Sequence, residues 1–253
     1  MPRVHTRMAD WRMERSSMER SRLSVGFVPT MGALHAGHRS LLERARAEND
    51  RVVLSIFVNP TQFDEPSDLG RYPRTLEADI QLADGLADHV LVPDQAEIYP
   101  DGYSYRLTER TLSARLEGAH RPGHFEGVLT VVLRLLNLVS PHRAYFGEKD
   151  WQQLQLVRGM VRAFLLPVEI VPCPIVRDPD GLAISSRNSR LSAAGRAKAP
   201  AFPRILRDSG APDAAAGALA GAGFAVDYVE DADGVRLGAV RLEGVRLIDN
   251  VRV

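Results

Sequence analysis

Lysine is nearly missing from this chain: Lys149 and Lys198 stand alone against thirty arginines. Cysteine is scarcer still. With only Cys173, no intrachain disulfide can form, and its Pro-Cys-Pro setting beside an apolar run assigns it to packing in a reducing compartment. Excess charge is absent too, because 32 acidic residues balance 32 basic ones. That balance removes the global field which draws proteins to nucleic acid or anionic membranes, and leaves small molecules as the default partners. No apolar run approaches the roughly 18 residues of a membrane helix. Residues 1–22, rich in Arg, Met and Ser, lack the apolar stretch of a signal peptide and read as an irregular leader, with Met8, Met13 and Met18 as alternative starts. These absences point to a cytoplasmic protein with no nucleic-acid and no membrane partner.

What is present is an ordinary globular composition, 45% hydrophobic and 25% charged over 253 residues, enough for a large α/β domain and a smaller companion. Short apolar runs alternate with amphipathic ones. Residues 24–29 read as a strand, 38–49 as a helix, and 51–59 (RVVLSIFVN) as a strand buried on both faces. Residues 74–87 then read as a helix and 88–92 as a strand. A strongly apolar helix over 125–139, a brief strand at 144–146, a helix over 150–165 and a strand over 168–173 complete the main domain. Such alternation predicts a parallel sheet with its ligand beyond the carboxyl ends of the strands. From Val176 the texture changes to a turn, a polar cluster, a weakly helical Ala/Gly-rich stretch over 193–223 and short strands over 224–253. The expected domains are therefore 23–175, built on the parallel sheet, and 176–253, a smaller α+β unit.

Three segments carry chemistry. The first, PTMGALHAGH over 29–38, lies where a strand passes into a helix, and a helix start is a ready anion site. His35 and His38 are three apart and can point together at a phosphate, while Gly32 and Gly37 allow close approach. Polar residues at an ordinary helix start are the plainer reading; a metal pair lacks H-E-x-x-H spacing and a neighbouring carboxylate. The second, GEKD over 147–150, puts a lysine at a strand-to-helix junction where it can reach phosphate oxygens, or simply caps a solvated helix with Asp150. The third, ISSRN over 184–188, offers two hydroxyls and a guanidinium after a turn, a pattern that surface loops also contain.

Together PTMGALHAGH, VNPTQF (58–63), RYPRT (71–75), GHFEGV (123–128), YFGEKDWQQ (145–153) and DGLAISSRN (180–188) resemble the pantothenate synthetase, or pantoate–β-alanine ligase, family. The resemblance runs from about Val25 to Leu191, fades after Lys198, where the C-terminal domain looks shortened against the family, and returns at RLIDN (246–250). It implies a Rossmann-like domain of the HxGH nucleotidyltransferase type, a C-terminal domain that closes over ATP, and a homodimer. It also implies condensation of pantoate with β-alanine through a pantoyl-adenylate, with ATP as co-substrate and Mg²⁺ bridging the phosphates; it assigns no protein ligand to the metal. Its ATP residues fall on Met31, Gly32, Ala33, Leu34, His35, Ala36, Gly37 and His38, on Gly147, Glu148, Lys149 and Asp150, on Val176, and on Ile184, Ser185, Ser186 and Arg187. Its pantoate-holding glutamines fall on Gln62 and Gln153, with Gln62 also beside the β-alanine site, and His38 matches the family's proton donor. His35, Lys149, Ser185, Ser186 and Arg187 would stabilise phosphoryl charge. Arg121 and His124 either line the site or serve the structure. The rivals are another HxGH nucleotidyltransferase, against which VNPTQF and GEKDWQQ argue, and a nucleotide-binding protein without catalysis, against which both histidines, Lys149 and both glutamines argue.

Overall fold

The computed structural model describes residues 1–64 and 66–253. Two compact units emerge: Met1–Gly147 with Gln152–Cys173, and Glu148–Trp151 with Pro174–Val253. The first contains strands β1 (Arg3–His5), β2 (Val25–Thr30), β3 (Arg51–Ile56), β4 (His89–Leu91), β5 (Arg143–Gly147) and β6 (Glu169–Cys173). Between them run helices α1 (Met8–Arg20), α2 (Ala36–Glu48), α3 (Pro66–Gly70), α4 (Leu76–Leu82), α5 (Gln95–Ile98), α6 (Glu117–His120), α7 (His124–Val139) and α8 (Trp151–Ala163), the last beginning one residue before the chain returns to this unit. The six strands form one sheet in the order β1-β4-β3-β2-β5-β6, parallel throughout. This is the doubly wound α/β fold.

Alternation along the strands explains the layering. Val25 and Phe27 of β2 join the core cluster with α1, α7 and α8, whereas Val28 joins the cluster with Leu41, Leu42 and Ala45 of α2. Both faces are thus covered, as near-continuous apolar strands require. Pro29 sits inside the central strand β2 without loss of a ladder bond. The odd positions of β2 face β5, where Val25 O accepts from His142 N, and pairing with β5 ends at Phe27. Its missing N–H would have pointed to a strand that has already turned away.

Residues 1–22 are not an irregular leader. They add the edge strand β1 and the helix α1, whose buried face is only Met8, Trp11 and Met18. Trp11 is fully enclosed and its Nε1 donates to Leu138 O at 3.0 Å, while Arg15 donates to Val139 O and Ser140 O at the end of α7. So sparse an apolar face is hidden among arginines. It holds because the long Arg15 side chain reaches carbonyls at a helix C-terminus, where a cation is favourable.

The second unit has strands β7 (Ala225–Ala232), β8 (Val235–Leu242) and β9 (Val245–Arg252) in an antiparallel sheet, with helices α9 (Ala193–Lys198), α10 (Ala201–Asp208) and α11 (Pro212–Gly221). Asp233-Gly234 and Glu243-Gly244 take positive φ at both positions, the two-residue hairpin geometry matched to strand twist. Phe202, Leu206 and Leu219 pack with Val240, Leu242 and Leu247 into its core. The Ala/Gly-rich stretch resolves into three separate helices, the first capped by Ser192 Oγ accepting from Gly195 N at 3.0 Å.

Candidate active site

In the first unit the chain runs β2→β3→β4 toward one edge and resumes with β5→β6 toward the other, so the topological switch lies between β2 and β5. The crevice beyond their carboxyl ends is where such sheets hold ligands. The loop leaving β2 is the PTMGALHAGH segment. Thr30 Oγ1 donates to Ser55 O at 2.7 Å and accepts from Gly32 N at 3.2 Å, which turns the chain sharply. Gly32 and Ala33 follow with φ of +82° and +51°. Position 32 needs glycine, because a Cβ there would lie 2.9 Å from Asp79 Oδ2.

His35 is the N-cap of α2. Its Nδ1 accepts from Gly37 N at 3.1 Å, and His38 Nδ1 accepts from His35 N at 3.3 Å, a reciprocal capping box built from two imidazoles. A backbone N–H can only donate, so both rings accept at Nδ1 and, when neutral, carry their proton on Nε2. The rings lie 4.1 Å apart at 33°. A Cβ at Gly37 would stand 2.9 Å from His35 Cε1, so glycine is what admits this ring over the helix start. The amides expected to bind an anion here are thus partly taken by His35. What the pair offers instead is two imidazole N–H donors.

Gln62 ends the turn Pro60–Gln62, whose N-cap is Asn59. Asn59 Oδ1 accepts from Tyr99 Oη at 2.7 Å and from Thr61 Oγ1 at 3.0 Å, so its Nδ2 donates, to Gly127 O at 3.2 Å and to Gln62 Oε1 at 2.9 Å. With Oε1 engaged, Gln62 presents its Nε2 as a donor. Burial pushes the Tyr99 hydroxyl up to about 12, which keeps it a donor across the working range. His124 Nδ1 donates to Gln62 O at 2.8 Å, and Arg121 reaches that same oxygen, Asp64 and His124 Nε2. Arg121 and His124 therefore hold the Gln62 backbone. Gln153 is half-buried on α8, while its neighbour Gln152 is buried and ties Leu112 O, Arg115 O and Glu117 N together.

In the second unit Lys149, Ser185 and Arg187 line one cavity together with Asn188 and Asp249. Asn250 Nδ2 donates to Glu148 O and Lys149 O at 2.8 and 3.1 Å, fixing the backbone that carries the lysine. Arg177 grips Asp249 through two bonds of 2.7 and 2.8 Å. Ser185 Oγ accepts from Arg187 N at 3.3 Å, capping the 3-10 turn Ser186–Arg190, and Ile184 N donates to Val176 O at 3.0 Å. Ser186 is not among the residues lining that cavity, and Asp150 is exposed. Sequence reasoning overlooked Asn59, Asp79, Tyr99 and Asn250. The Asn before Pro60 and the RLIDN segment were the available signals.

A model of the family described as Pantoate-beta-alanine ligase matches residues 3–252, including the stretch after Lys198 where the motifs fade. A pantothenate synthetase of Bdellovibrio bacteriovorus is 52% identical over 244 residues, covering 96% of this chain and 95% of that relative. One of Coxiella burnetii is 49% identical over 253 residues, covering 99% and 97%. Among solved structures, the pantoate-beta-alanine ligase of Francisella tularensis complexed with beta-gamma ATP and beta-alanine superposes with a TM-score of 0.94 at 39% identity, covering 100% of this chain and 98% of that one. Pantothenate synthetase of Thermus thermophilus gives 0.89 at 44%, covering 99% of each chain.

Proposed function

This chain belongs to the pantoate–β-alanine ligase family, and on that premise we propose that it joins (R)-pantoate to β-alanine, using ATP and releasing AMP and pyrophosphate. The near full-length match to pantothenate synthetases carries this choice of substrates, supported by the ATP and β-alanine named in the Francisella complex. In the first step a pantoate carboxylate oxygen attacks the α-phosphorus, forming the P–O bond of pantoyl-adenylate while the bond to pyrophosphate breaks. In the second, the neutral amine of β-alanine attacks the acyl carbon, AMP leaves with the bridging oxygen, and the amine loses a proton.

Negative charge grows on the phosphoryl oxygens in the first step, and donors aimed there in advance are what lower its barrier. His35 and His38 serve as Nε2–H donors, because the backbone N–H groups bonded at Nδ1 leave Nε2 as the nitrogen that donates. His38 is assigned the proton-donor role. Lys149, Ser185, Ser186 and Arg187 bind the β- and γ-phosphates, Lys149 as a point charge and Arg187 as a fork; Met31 to Leu34, Ala36, Gly37, Gly147, Glu148, Asp150, Val176 and Ile184 complete the nucleotide site. Gln62 donates through Nε2 to an oxygen of pantoate and, with Gln153, orients the carboxylate without neutralising it. No group of three or more His, Cys, Asp or Glu able to hold a metal occurs among the described residues. Mg²⁺ is assigned as part of the MgATP substrate, where it would lower the charge of the phosphates.

The enzyme is assigned to the cytoplasm as a homodimer; its single cysteine, Cys173, is buried and suits a reducing compartment. Oxygen tracing tests the adenylate route. With ¹⁸O in the pantoate carboxylate, one label should appear in AMP and none in pyrophosphate; label retained entirely in the amide product and water would exclude the acyl-adenylate.

A further inference from the structure

Asp79 lies on α4 with 2% of its surface exposed, a carboxylate on the inward face of the helix four residues before the buried Ala83, while Leu76 at the helix start is exposed. Burial of a carboxyl group is costly unless its oxygens are hydrogen-bonded, and here the partners are specific. Oδ2 accepts from Ala33 N at 3.0 Å, and Oδ1 accepts from Leu34 N at 2.8 Å and from Thr75 Oγ1 at 3.1 Å. The two amides belong to the loop that enters the left-handed region at Gly32 and Ala33, the second a residue that bears that geometry at a cost. They immediately precede His35, whose backbone and ring form half of the imidazole capping box.

We infer that Asp79 is a positioning residue for adenylation: its two oxygens clamp the Ala33 and Leu34 amides and thereby hold the His35–His38 pair in the Nδ1-accepting, Nε2-donating arrangement that meets the triphosphate. This rests on the reading of that loop as the nucleotide site. A side chain with two acceptor oxygens is required, since an asparagine in the same place would set its NH₂ against one of the amides. Clamping from the protein side also keeps these two N–H groups from competing for phosphate, so anion recognition falls to the imidazoles.

The test is Asp79→Asn in the full chain, with three readouts. Pantoate-dependent exchange of pyrophosphate into ATP should fall about 10- to 100-fold, as loss of positioned donors does. Aminolysis of supplied pantoyl-adenylate by β-alanine should change less than about threefold, because that step does not call on the triphosphate donors. Ring ¹⁵N–¹H correlation spectra should show Nε2–H tautomers for His35 and His38 in the parent and a mixture in the variant. Thr75→Ala, which removes one bond to Asp79 and leaves the carboxylate, should show the same selectivity at about 2- to 10-fold, and decides the matter if Asp79→Asn does not fold. Equal losses in both half-reactions, or unchanged exchange and unchanged tautomers, overturn the inference. Should the parent show no exchange at all, the ligase reading fails, while the tautomer comparison still judges Asp79.

Discussion

Replacing a glycine inside a helix with alanine ordinarily stabilises a protein by up to about 1 kcal/mol. Gly127→Ala should do the opposite. Gly127 lies in the first turn of α7, pressed against the turn that carries Gln62. An added Cβ would collide with Thr61 O and stand 2.6 Å from Thr61 C and 2.7 Å from Gln62 N. These are backbone atoms and cannot swing aside, so helix and turn must separate by about 1 Å to restore ordinary contact near 3.5 Å. Overpacking of this kind costs about 1–3 kcal/mol, a melting temperature lower by roughly 2–10 °C for a chain of this size. The same shift drags Gln62 and breaks the register with Asn59, whose Nδ2 bonds both Gly127 O and Gln62 Oε1. A misplacement of about 1 Å in a positioning group costs up to about 10²-fold. Steady-state kinetics at varied pantoate should show kcat/KM for pantoate reduced about 10- to 100-fold with the KM for ATP little changed, alongside the lower melting temperature. An unshifted melting temperature with an unchanged pantoate KM would refute the packing argument and the role given to Gln62.

Trp11→Ala removes a fully enclosed ring and its bond to Leu138 O, and should cost about 3–5 kcal/mol in thermal or denaturant unfolding; a neutral result would return residues 1–22 to the status of a leader. His38→Ala should lower turnover on the order of 10²-fold with the fold retained by circular dichroism, and near-normal turnover would remove His38 from the chemistry. His5 Nε2 and His89 Nδ1 lie 3.0 Å apart, and burial lowers the pKa of both. The folded state thus resists protons that the unfolded state accepts from about 6.5 downward. Stability should be full above that pH and decline as pH falls below it, and His89→Asn should flatten the decline in melting temperature between about pH 7.5 and 5; an identical slope in the variant would clear the pair.

The main sheet was readable from sequence because β3 and α7 are apolar enough to declare their period, and the strand-to-helix placement of both phosphate-type motifs follows from them. α1 escaped because three apolar side chains scattered among arginines make too weak a stripe, and β1 is only three residues long. In α4 the helical period holds and the residue type is what sequence leaves unexplained: Asp79, four residues before the buried Ala83, is inward because backbone amides need its oxygens. At the candidate site, His35, His38 and Lys149 were visible as reactive types in telling places, whereas Gln62 and Gln153 came only from the family resemblance. The supports of these residues were not visible: Tyr99 reaches Asn59 and Asp79 reaches Ala33 across 40 or more positions in sequence, Asn59 joins Gln62 nearby to Gly127 far along the chain, and Asn250 reaches Lys149 across about a hundred. Such pairings exist only once the chain is folded.

The measurement that tests the central claim most directly is AMP release by the purified chain with MgATP, omitting pantoate, β-alanine or both. AMP forming in step with pantothenate, and only when both acids are present, is the predicted result; AMP formation independent of pantoate, or none with both substrates at saturation, would contradict the ligase assignment.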